Sequence, residues 1–303
     1  MAETSEPEIY TLTAGPLSIG LVPQIGGSLA FFRAFGVDVM RPLTEERRRA
    51  GDVLGVAMFP MLPYANRIAG NAFEFGGKTW QFAANNPPER FNVHGTGWHW
   101  PWTASRTEHG IELRLEHRAP DEPYSYEATQ TFTLAPGGLR VALRLVNLGP
   151  VAMPFGMGVH PWFDRTPDTD LRFTAGHFFM EGPEGVATER LKTPPELDFS
   201  RTRPLPHTWR NNNYGEWGGE AEIRWPGRGV GLKMAADPIF GHLMLYADPE
   251  RSFFCVEPQT NAPTAFNRIA GGRDQGMGTI VLEPGQAMAG SVRFAPYPIA
   301  GGR

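Results

Sequence analysis

Apolar and polar residues alternate with a period of two over much of the chain, as in Leu17 to Leu21 and again in Ile111 to Leu115. Successive side chains of a β-strand point to opposite faces of the sheet, so this alternation predicts strands with one buried face. Windows with helical periodicity are scarce, and strands do not alternate with helices along the chain. The pattern therefore predicts an all-β fold, a large antiparallel β-sandwich that forms one domain over residues 1–303.

Turn-forming residues separate these segments and predict how neighbouring strands pair. The 36 glycines and 29 prolines are spread through the chain, where they punctuate many short elements. Three hairpins are predicted: residues 124–134 with 139–145, residues 221–225 with 230–234, and residues 280–282 with 292–294. One short helix is predicted over residues 44–51, with Thr44 as its N-cap.

The composition excludes several functional classes. The formal net charge is -4 and the lysines and arginines are scattered, so no basic face for nucleic acid is expected. A single cysteine, Cys255, allows no intrachain disulfide, which is typical of a reducing compartment. The acidic N-terminal residues lack a signal-peptide pattern, and no apolar run approaches the roughly 20 residues that cross a bilayer. We therefore expect a cytoplasmic protein that binds neither nucleic acid nor membrane.

Four segments carry candidate chemistry. Arg67 follows a Pro-rich apolar run, where its guanidinium could offer a fork of donors to a ligand oxygen. Residues 92–102 contain three tryptophans and two histidines, a mixture that can stack on the C–H face of a sugar and bond its hydroxyls. His160 precedes a proline, which favours an extended backbone. Glu257 ends an apolar strand, where a carboxyl group is paired, desolvated or at the mouth of a site.

Each segment also has a structural interpretation. Arg67 could bond loop carbonyls, the tryptophans could form an aromatic minicore, and a lone histidine such as His160 is more often structural than catalytic. Cys255 shares a strand face with Glu257, and a small buried hydrophobe is its simplest role. Four residues, His94, His99, His160 and Glu257, could ligate a metal, but their spacing matches no compact metal motif, so no metal site is predicted. The glycines of residues 271–278 lack dinucleotide-binding spacing and are expected to form a loop.

Taken in order, these segments resemble the aldose 1-epimerase (galactose mutarotase) family. The motifs of that family correspond here to Asn66-Arg67-Ile68, His94-Gly95, residues 158–163 (Gly-Val-His-Pro-Trp-Phe) and Glu257-Pro258. Asn85, three residues after Phe82, is similar to the family's Leu-x-x-Asn approach to the His-Gly turn. The resemblance spans about residues 10–297.

The resemblance implies a large antiparallel β-supersandwich with a cleft on its concave face. It implies that Glu257 is the general base and His160 the general acid. The substrate-binding residues are then predicted to be Arg67, His94, Asn66 and Trp162.

Part of the family's sugar-recognition set is missing. Where many members carry an Asp, residues 209–214 read Trp-Arg-Asn-Asn-Asn-Tyr, and the Gln two residues before a strand tyrosine is replaced by Met244. The usual Tyr-Thr-Gly-Asn stretch reads Tyr-Ala-Asp-Pro over residues 246–249. Asn213 or Asp248 could substitute for the missing Asp. These departures bear on the substrate more than on the reaction.

The expected reaction is interconversion of the α and β anomers of a pyranose. Glu257 takes the proton of the anomeric hydroxyl, His160 protonates the ring oxygen, and rotation about C1–C2 before closure gives the other anomer. This chemistry needs no cofactor, and the expected partner is a monosaccharide bound by a monomer or homodimer.

Three alternatives stay open. The first is a non-catalytic carbohydrate-binding or sensing domain on the same fold, and the second is a metal-dependent cupin-like enzyme. The third is an epimerase for phosphorylated or sulfonated hexoses. It would need further cations at the cleft, and Arg33, Arg165 and Arg210 are the candidates.

Overall fold

The computed structural model describes residues 6–120, 122–269 and 276–299. The first residues of the acidic N-terminal segment, and most of the predicted glycine loop at residues 271–278, lie outside the described residues. The strands, in chain order, are β1 (Tyr10–Ala14), β2 (Leu17–Val22), β3 (Ser28–Ala34), β4 (Val37–Met40), β5 (Met58–Met61), β6 (Arg67–Ile68), β7 (Ala72–Phe75), β8 (Lys78–Gln81), β9 (Asn92–Val93), β10 (Thr103–Thr107), β11 (Gly110–Arg118), β12 (Ser125–Ala135), β13 (Gly138–Asn147), β14 (Met153–Phe155), β15 (Gly158–Asp164), β16 (Asp170–Phe173), β17 (His177–Glu181), β18 (Ala187–Leu191), β19 (Arg203–Pro204), β20 (Arg210–Gly215), β21 (Glu220–Trp225), β22 (Val230–Ala236), β23 (His242–Ala247), β24 (Phe253–Gln259), β25 (Ile280–Leu282) and β26 (Ala287–Pro298).

Two large antiparallel sheets contain most of these strands. The first has 11 strands in the order β1-β2-β3-β5-β15-β24-β23-β20-β17-β18, with β4 beside β3. The second has nine in the order β10-β11-β12-β13-β26-β22-β21-β16-β19. Three two-stranded ladders, β14-β25, β6-β9 and β7-β8, complete the described sheet structure. The predicted all-β antiparallel fold is confirmed.

Side chains of both sheets share one apolar core. Phe163 on β15 lies with its ring centroid 6.1 Å from that of Trp225 on β21, and both side chains are fully buried. On β11, alternate residues are buried along the strand, as the period-two pattern predicts. Burial of large aromatic and aliphatic side chains between two sheets supplies the main favourable free energy of such a fold.

Two of the three predicted hairpins are confirmed, since β12 pairs with β13 and β21 pairs with β22. The third prediction is wrong, because β25 pairs with β14 and not with β26. The reason is that β26 is bonded to β13 on one side and β22 on the other, which leaves it no free edge for β25.

Helical structure is limited to short segments. The α-helix α1 (Glu45–Arg49) confirms the predicted helix, and Thr44 Oγ1 caps it by accepting from the Arg47 N–H at 3.3 Å. Among the described residues, no helix has the length and apolar character needed to cross a membrane. Single 3-10 turns occur at Val53–Gly55, Ala69–Asn71, Gly97–His99, Pro183–Gly185, Pro195–Leu197, Pro226–Arg228 and Phe266–Arg268.

A buried asparagine ties the end of β24 to the loop that follows β5. Asn261 Oδ1 accepts from the Ala65 N–H at 3.1 Å, and its Nδ2 donates to the carbonyls of Ala65 and Ala262 at 2.9 and 3.1 Å. The tied loop leads directly into Asn66 and Arg67. Because Asn261 is buried, its loss would leave backbone groups without partners and without water.

We expect Asn261→Ala to lower the free energy of unfolding by about 2–4 kcal/mol, as three buried hydrogen bonds are lost. Urea denaturation followed by tryptophan fluorescence measures this. Asn147→Ala is a matched control, because Asn147 is also buried and makes three bonds, with Gly149, Val151 and Leu282. The free energy of unfolding should fall by similar amounts in the two variants. An Asn261→Ala protein as stable as wild type would contradict the prediction.

Candidate active site

The candidate catalytic side chains project from one face of the first sheet. Residues paired across antiparallel strands place their side chains on the same face, and so do residues two apart on one strand. Cys255 on β24 pairs with Trp162 on β15. Glu257 follows Cys255 by two residues, and His160 precedes Trp162 by two. The ladder therefore brings Glu257 and His160 to the same face of neighbouring strands.

These side chains line a cavity of about 200 Å³. This is smaller than the roughly 300–1,000 Å³ typical of pockets for drug-sized ligands, and it suits one small polar molecule. All six residues singled out from the sequence line the cavity: Glu257, His160, Arg67, His94, Asn66 and Trp162. Residues that the sequence did not single out as site residues also line it, among them Phe59, Asn86, Glu89, Trp98, Asn211, Met244 and Tyr246.

His160 and Glu257 contact each other inside the cavity. The distance from His160 Nε2 to Glu257 Oε1 is 3.3 Å, and the two residues are 8% and 2% exposed. Within the described part of the chain, His160 Nδ1 and Glu257 Oε2 are buried without a hydrogen-bond partner. Buried polar atoms rarely stay unpaired, so Glu257 Oε2 offers a site for a donor from a bound ligand.

Burial displaces the two pKa values in opposite directions. It raises the pKa of Glu257 to about 8 and lowers the pKa of His160 to about 3. The positive charge of Arg67 opposes the effect of burial on the pKa of Glu257 but is the smaller influence. Desolvation disfavours both charged forms, so near neutral pH the site holds a neutral carboxylic acid beside a neutral imidazole. Between the two pKa values the pair carries one proton, which leaves one acid and one base.

Aromatic rings fix the orientation of the His160 imidazole. Phe59 stacks on it with centroids 4.5 Å apart and the planes at 23°. Trp162 lies 4.6 Å away at 30°, and His94 contacts the ring edge-on at 5.3 Å and 87°. A ring packed on several sides has little freedom to rotate, so its Nε2 stays directed at Glu257.

A strained turn presents His94. His94 and Asn66 both have left-handed backbone, with φ of 60° and 64°, which is uncommon outside glycine. Each holds the other: the Asn66 N–H donates to His94 Nδ1 at 3.0 Å, and the His94 N–H donates to the Asn66 carbonyl at 3.0 Å. Asn85 secures the turn by donating to the carbonyls of Val93 and Gly95 at 2.9 and 2.8 Å. Because Nδ1 accepts, the neutral ring carries its proton on Nε2.

An ion pair that the sequence analysis missed holds Arg67. Its Nε and Nη2 donate to the two carboxylate oxygens of Glu89 at 3.1 and 2.9 Å. Such a bidentate pair fixes the plane of the guanidinium and balances its charge. Glu89 lies in a loop 22 residues further along the chain, and no local sequence pattern indicates this contact.

The structure does not place either suggested substitute for the missing Asp at the cavity. Asn213 Oδ1 is bonded to His242 Nδ1 at 2.9 Å, and neither Asn213 nor Asp248 lines the cavity. Asn211, two residues before Asn213 on β20, lines it instead. Met244 lines it too, and its sulfur accepts from Asn66 Nδ2 at 3.6 Å. The polar set around the cavity thus differs from the one that the resemblance implies.

One group of side chains in the described residues is close enough to share a metal ion. The ligand atoms of His160, Cys255 and Glu257 lie within 4.8 Å of one another. Burial raises the pKa of the Cys255 thiol well above its usual range, whereas a metal binds the thiolate. His99, which the sequence analysis considered as a ligand, lines a different cavity together with Trp100.

Comparison with known proteins agrees with the fold and the motifs. A family model described as aldose 1-epimerase matches residues 8–295. YphB, an uncharacterised protein of Escherichia coli (strain K12), is 32% identical over 288 residues, which are 92% of this chain and 95% of that protein. The crystal structure of a candidate aldose 1-epimerase from Escherichia coli K12 superimposes with a TM-score of 0.88 at 30% identity, covering 96% of this chain and 99% of that one. A galactose mutarotase-like protein from Clostridium acetobutylicum gives a TM-score of 0.85 at 17% identity, over 97% and 96% of the two chains, which supports the fold alone.

Glu257 should make the protein less stable as the pH rises. Its pKa in the folded state is about 8, above the ordinary value of 4.5. Between these two pH values the folded state keeps the proton and the unfolded state does not, so the free energy of unfolding falls as the pH rises. We expect Glu257→Gln to unfold at a higher temperature than wild type at about pH 9, with a smaller difference at about pH 5. Thermal unfolding at several pH values measures this. The control is Glu108→Gln, since the Glu108 side chain is 88% exposed. A difference for Glu257→Gln that does not change with pH would contradict the raised pKa.

Proposed function

The chain belongs to the aldose 1-epimerase family, and on this premise we propose that it interconverts the α and β anomers of a neutral pyranose. The observation that carries the proposal is the buried pair of His160 and Glu257, 3.3 Å apart at the cavity, with pKa values displaced in opposite directions. Anomerisation through ring opening needs one proton donor and one acceptor near the same carbon. One proton shared by this pair meets that need.

We assign the first step as ring opening from the tautomer in which Glu257 is charged and His160 protonated. Glu257 takes the proton of the anomeric hydroxyl as C1=O1 forms, and the C1–O5 bond breaks with its electrons on O5. His160 then gives its proton to O5. The products are an open-chain aldehyde with a free O5 hydroxyl, a neutral Glu257 and a neutral His160.

Ring closure runs from the protonation state that burial favours. After rotation about C1–C2, O5 attacks the other face of the aldehyde and loses its proton to His160, while Glu257 protonates O1. The pair returns to its starting state, so no proton is consumed. The two tautomers also interconvert by moving one proton between groups 3.3 Å apart. The uncatalysed reaction is already facile. Proton transfers, each worth roughly 10²–10⁴-fold in rate, together with positioning of the sugar are therefore sufficient to catalyse it.

Residues at the rim of the cavity orient the sugar. His94, with its proton on Nε2, and the guanidinium of Arg67 donate hydrogen bonds to sugar oxygens. The rings of Trp162 and Trp98 line the same cavity and supply apolar surface for the C–H face of a pyranose. Asn66 acts mainly through His94, whose Nδ1 it holds.

The charges near the cavity favour a neutral sugar over a phosphorylated or sulfonated one. Arg67 is balanced by Glu89, so it carries little free charge for an anion. Arg33, Arg165 and Arg210 do not line the cavity. Arg33 pairs with Asp38, and the other two donate to backbone carbonyls.

We expect Glu257→Gln to lower the rate of anomer exchange by at least about 10²-fold, and His160→Gln by a similar factor, because each removes one proton-transfer group. NMR exchange spectroscopy with freshly dissolved α-D-glucose and α-D-galactose measures the rate. Matched controls are Glu108→Gln and His109→Gln, which change the same residue types at side chains that are 88% and 78% exposed and do not line the cavity.

Exchange at the wild-type rate in Glu257→Gln would remove Glu257 as the base, and the same result for His160→Gln would remove His160 as the acid. A wild-type protein that binds these sugars without exchanging their anomers would be a sugar-binding domain and not an epimerase.

The pH dependence of kcat/KM should follow the titration of the proton that Glu257 and His160 share. Above the Glu257 pKa of about 8, both groups are deprotonated and the pair has no acid, so kcat/KM should fall as the pH rises through about 8. The acidic limb should lie near the His160 pKa of about 3, below which the pair has no base. Rates from about pH 5 to 10, corrected for non-enzymatic exchange, measure the profile. Activity that falls as the pH drops through about 6.5, the ordinary histidine pKa, would contradict this account.

A further inference from the structure

We propose that His160, Cys255 and Glu257 form a binding site for one Zn²⁺ ion, and that an ion bound there reversibly blocks anomer exchange. Binding of Zn²⁺ goes beyond the proposed function and does not depend on it. Inhibition rests on the proposed function, because the ion occupies the two groups that would move the proton.

The first observation is that three metal-ligating side chains lie together on neighbouring strands of the first sheet. Cys255 and Glu257 are two residues apart on β24, so they share a face, and His160 lies on β15 beside them. Both strands are bonded on two sides, β15 by β5 and β24, and β24 by β15 and β23. The ligands therefore come from rigid backbone, which lowers the cost of assembling a site.

The distances between the ligand atoms suit a small tetrahedral ion. His160 Nε2 and Glu257 Oε1 are 3.3 Å apart, and ligand atoms of all three side chains lie within 4.8 Å of one another. Bonds from Zn²⁺ of about 2.0–2.3 Å at tetrahedral angles separate the ligand atoms by roughly 3.3–3.6 Å. The nitrogen and the oxygen already have this spacing, and a shift of the Cys255 sulfur by roughly 1 Å completes the set.

The second observation is an unpartnered carboxylate oxygen beside the cavity. Glu257 Oε2 is buried without a hydrogen-bond partner in the described residues. His160 and Glu257 line the cavity, whereas Cys255 is fully buried and does not line it. An ion therefore enters from the cavity, meets the imidazole and the carboxylate first, and keeps its fourth position for water on the cavity side. Three protein ligands and one water are the usual set of an open zinc site.

The donor set selects Zn²⁺ over Mg²⁺ or Ca²⁺. A thiolate and an imidazole bind soft and borderline ions, whereas Mg²⁺ and Ca²⁺ prefer oxygen ligands. Burial raises the pKa of the Cys255 thiol, but a metal deprotonates the thiol that it binds. Binding thus releases the thiol proton and the proton that His160 and Glu257 share, so a thiolate and a carboxylate balance the two charges of the ion.

Two features make this a site for reversible inhibition and not for a resident ion. A histidine that holds a resident metal usually donates its other ring N–H to a carboxylate or carbonyl, and His160 Nδ1 has no such partner among the described residues. The guanidinium of Arg41 lies 4.4 Å from the ring centroid of Trp162, and its charge acts on both His160 and Cys255. Both features weaken binding, so a chelator should remove the ion.

The test follows Zn²⁺ binding and anomer exchange separately, in protein freed of metal with EDTA. Calorimetric titration with Zn²⁺ should give one ion per chain. Saturating Zn²⁺ should lower the exchange rate of α-D-glucose, corrected for non-enzymatic exchange, by at least about 10²-fold, and excess EDTA should restore it. Mg²⁺ at the same concentration should leave the rate unchanged.

The variant that isolates the thiol is Cys255→Ala. Without metal it should exchange anomers at the wild-type rate, because Cys255 does not line the cavity. It should bind Zn²⁺ and be inhibited by it at least about tenfold more weakly, since even partners of a metal ligand contribute 10–100-fold to affinity. His109→Gln is the control, because exposed His109 and Glu108, with Nε2 and Oε2 3.8 Å apart, could hold Zn²⁺ at the surface. This variant should behave as wild type.

A spectrum of the wild-type protein tests the site without any substitution. Co²⁺ bound in place of Zn²⁺ should show a thiolate-to-metal charge-transfer band, since Cys255 is the sole cysteine of the chain. A Co²⁺ complex without this band would overturn the site even if Cys255→Ala failed to fold.

The remaining outcomes keep the metal site and the proposed function apart. Equal inhibition of wild type and Cys255→Ala, or loss of Zn²⁺ binding in His109→Gln, would overturn the site and leave the epimerase intact. Zn²⁺ that binds at the site without lowering the exchange rate would overturn the inhibition. If metal-free wild type exchanges no anomers, the proposed function fails, and the Zn²⁺ stoichiometry and the Co²⁺ spectrum alone decide the site.

Discussion

Desolvation of the Glu257 carboxyl group is the constraint on which the site depends. Glu257 lies on β24, which is bonded to β15 on one side and β23 on the other, so its backbone cannot move toward water. The group must therefore be neutral or find polar partners in the cavity. His160 supplies one partner from the neighbouring strand. A carboxylate whose pKa is raised in this way is also a stronger base than one in water, so the same burial that destabilises the charged form suits it to proton transfer.

The two central strands set the distance between His160 and Glu257, whereas the short β6-β9 ladder and the turn after β9 set the groups proposed to orient a sugar. Arg67 begins β6 and His94 follows β9, and each is held by side chains that bond to backbone: Asn85 around His94, and Asn261 before Arg67. These bonds offset the cost of the left-handed backbone at His94 and Asn66. Binding groups on loops that are anchored to a rigid sheet are a common way to combine precision with variation.

How far the sequence predicts this structure depends on the range of each interaction. Period-two alternation predicted the strands because each has one buried face. Local motifs singled out Glu257 and His160, and the fold brings both to one cavity. The hairpin predicted for residues 280–294 failed because strand pairing also depends on which edges are already occupied. The contact between Glu89 and Arg67 was not predicted from the sequence, because only the folded loop brings the two residues together.

The choice between Asn211 and Asn213 shows a different limit of pattern reasoning. Both lie on β20 with the same parity, so alternation assigns them to the same face and cannot separate them. Their partners separate them: Asn213 is bonded to His242, while Asn211 pairs across the ladder with Tyr246 beside the cavity. Met244 also changes the polar set of the cavity, because it places a thioether in the lining. A site that bonds a substrate hydroxyl rejects an analogue without it far more strongly than an apolar pocket does. With a thioether in place of an amide, the cavity should discriminate weakly at the hydroxyl that faces Met244. In the proposed reaction, selectivity must then arise from Asn211 and its neighbours, while proton transfer stays with His160 and Glu257 on the two central strands.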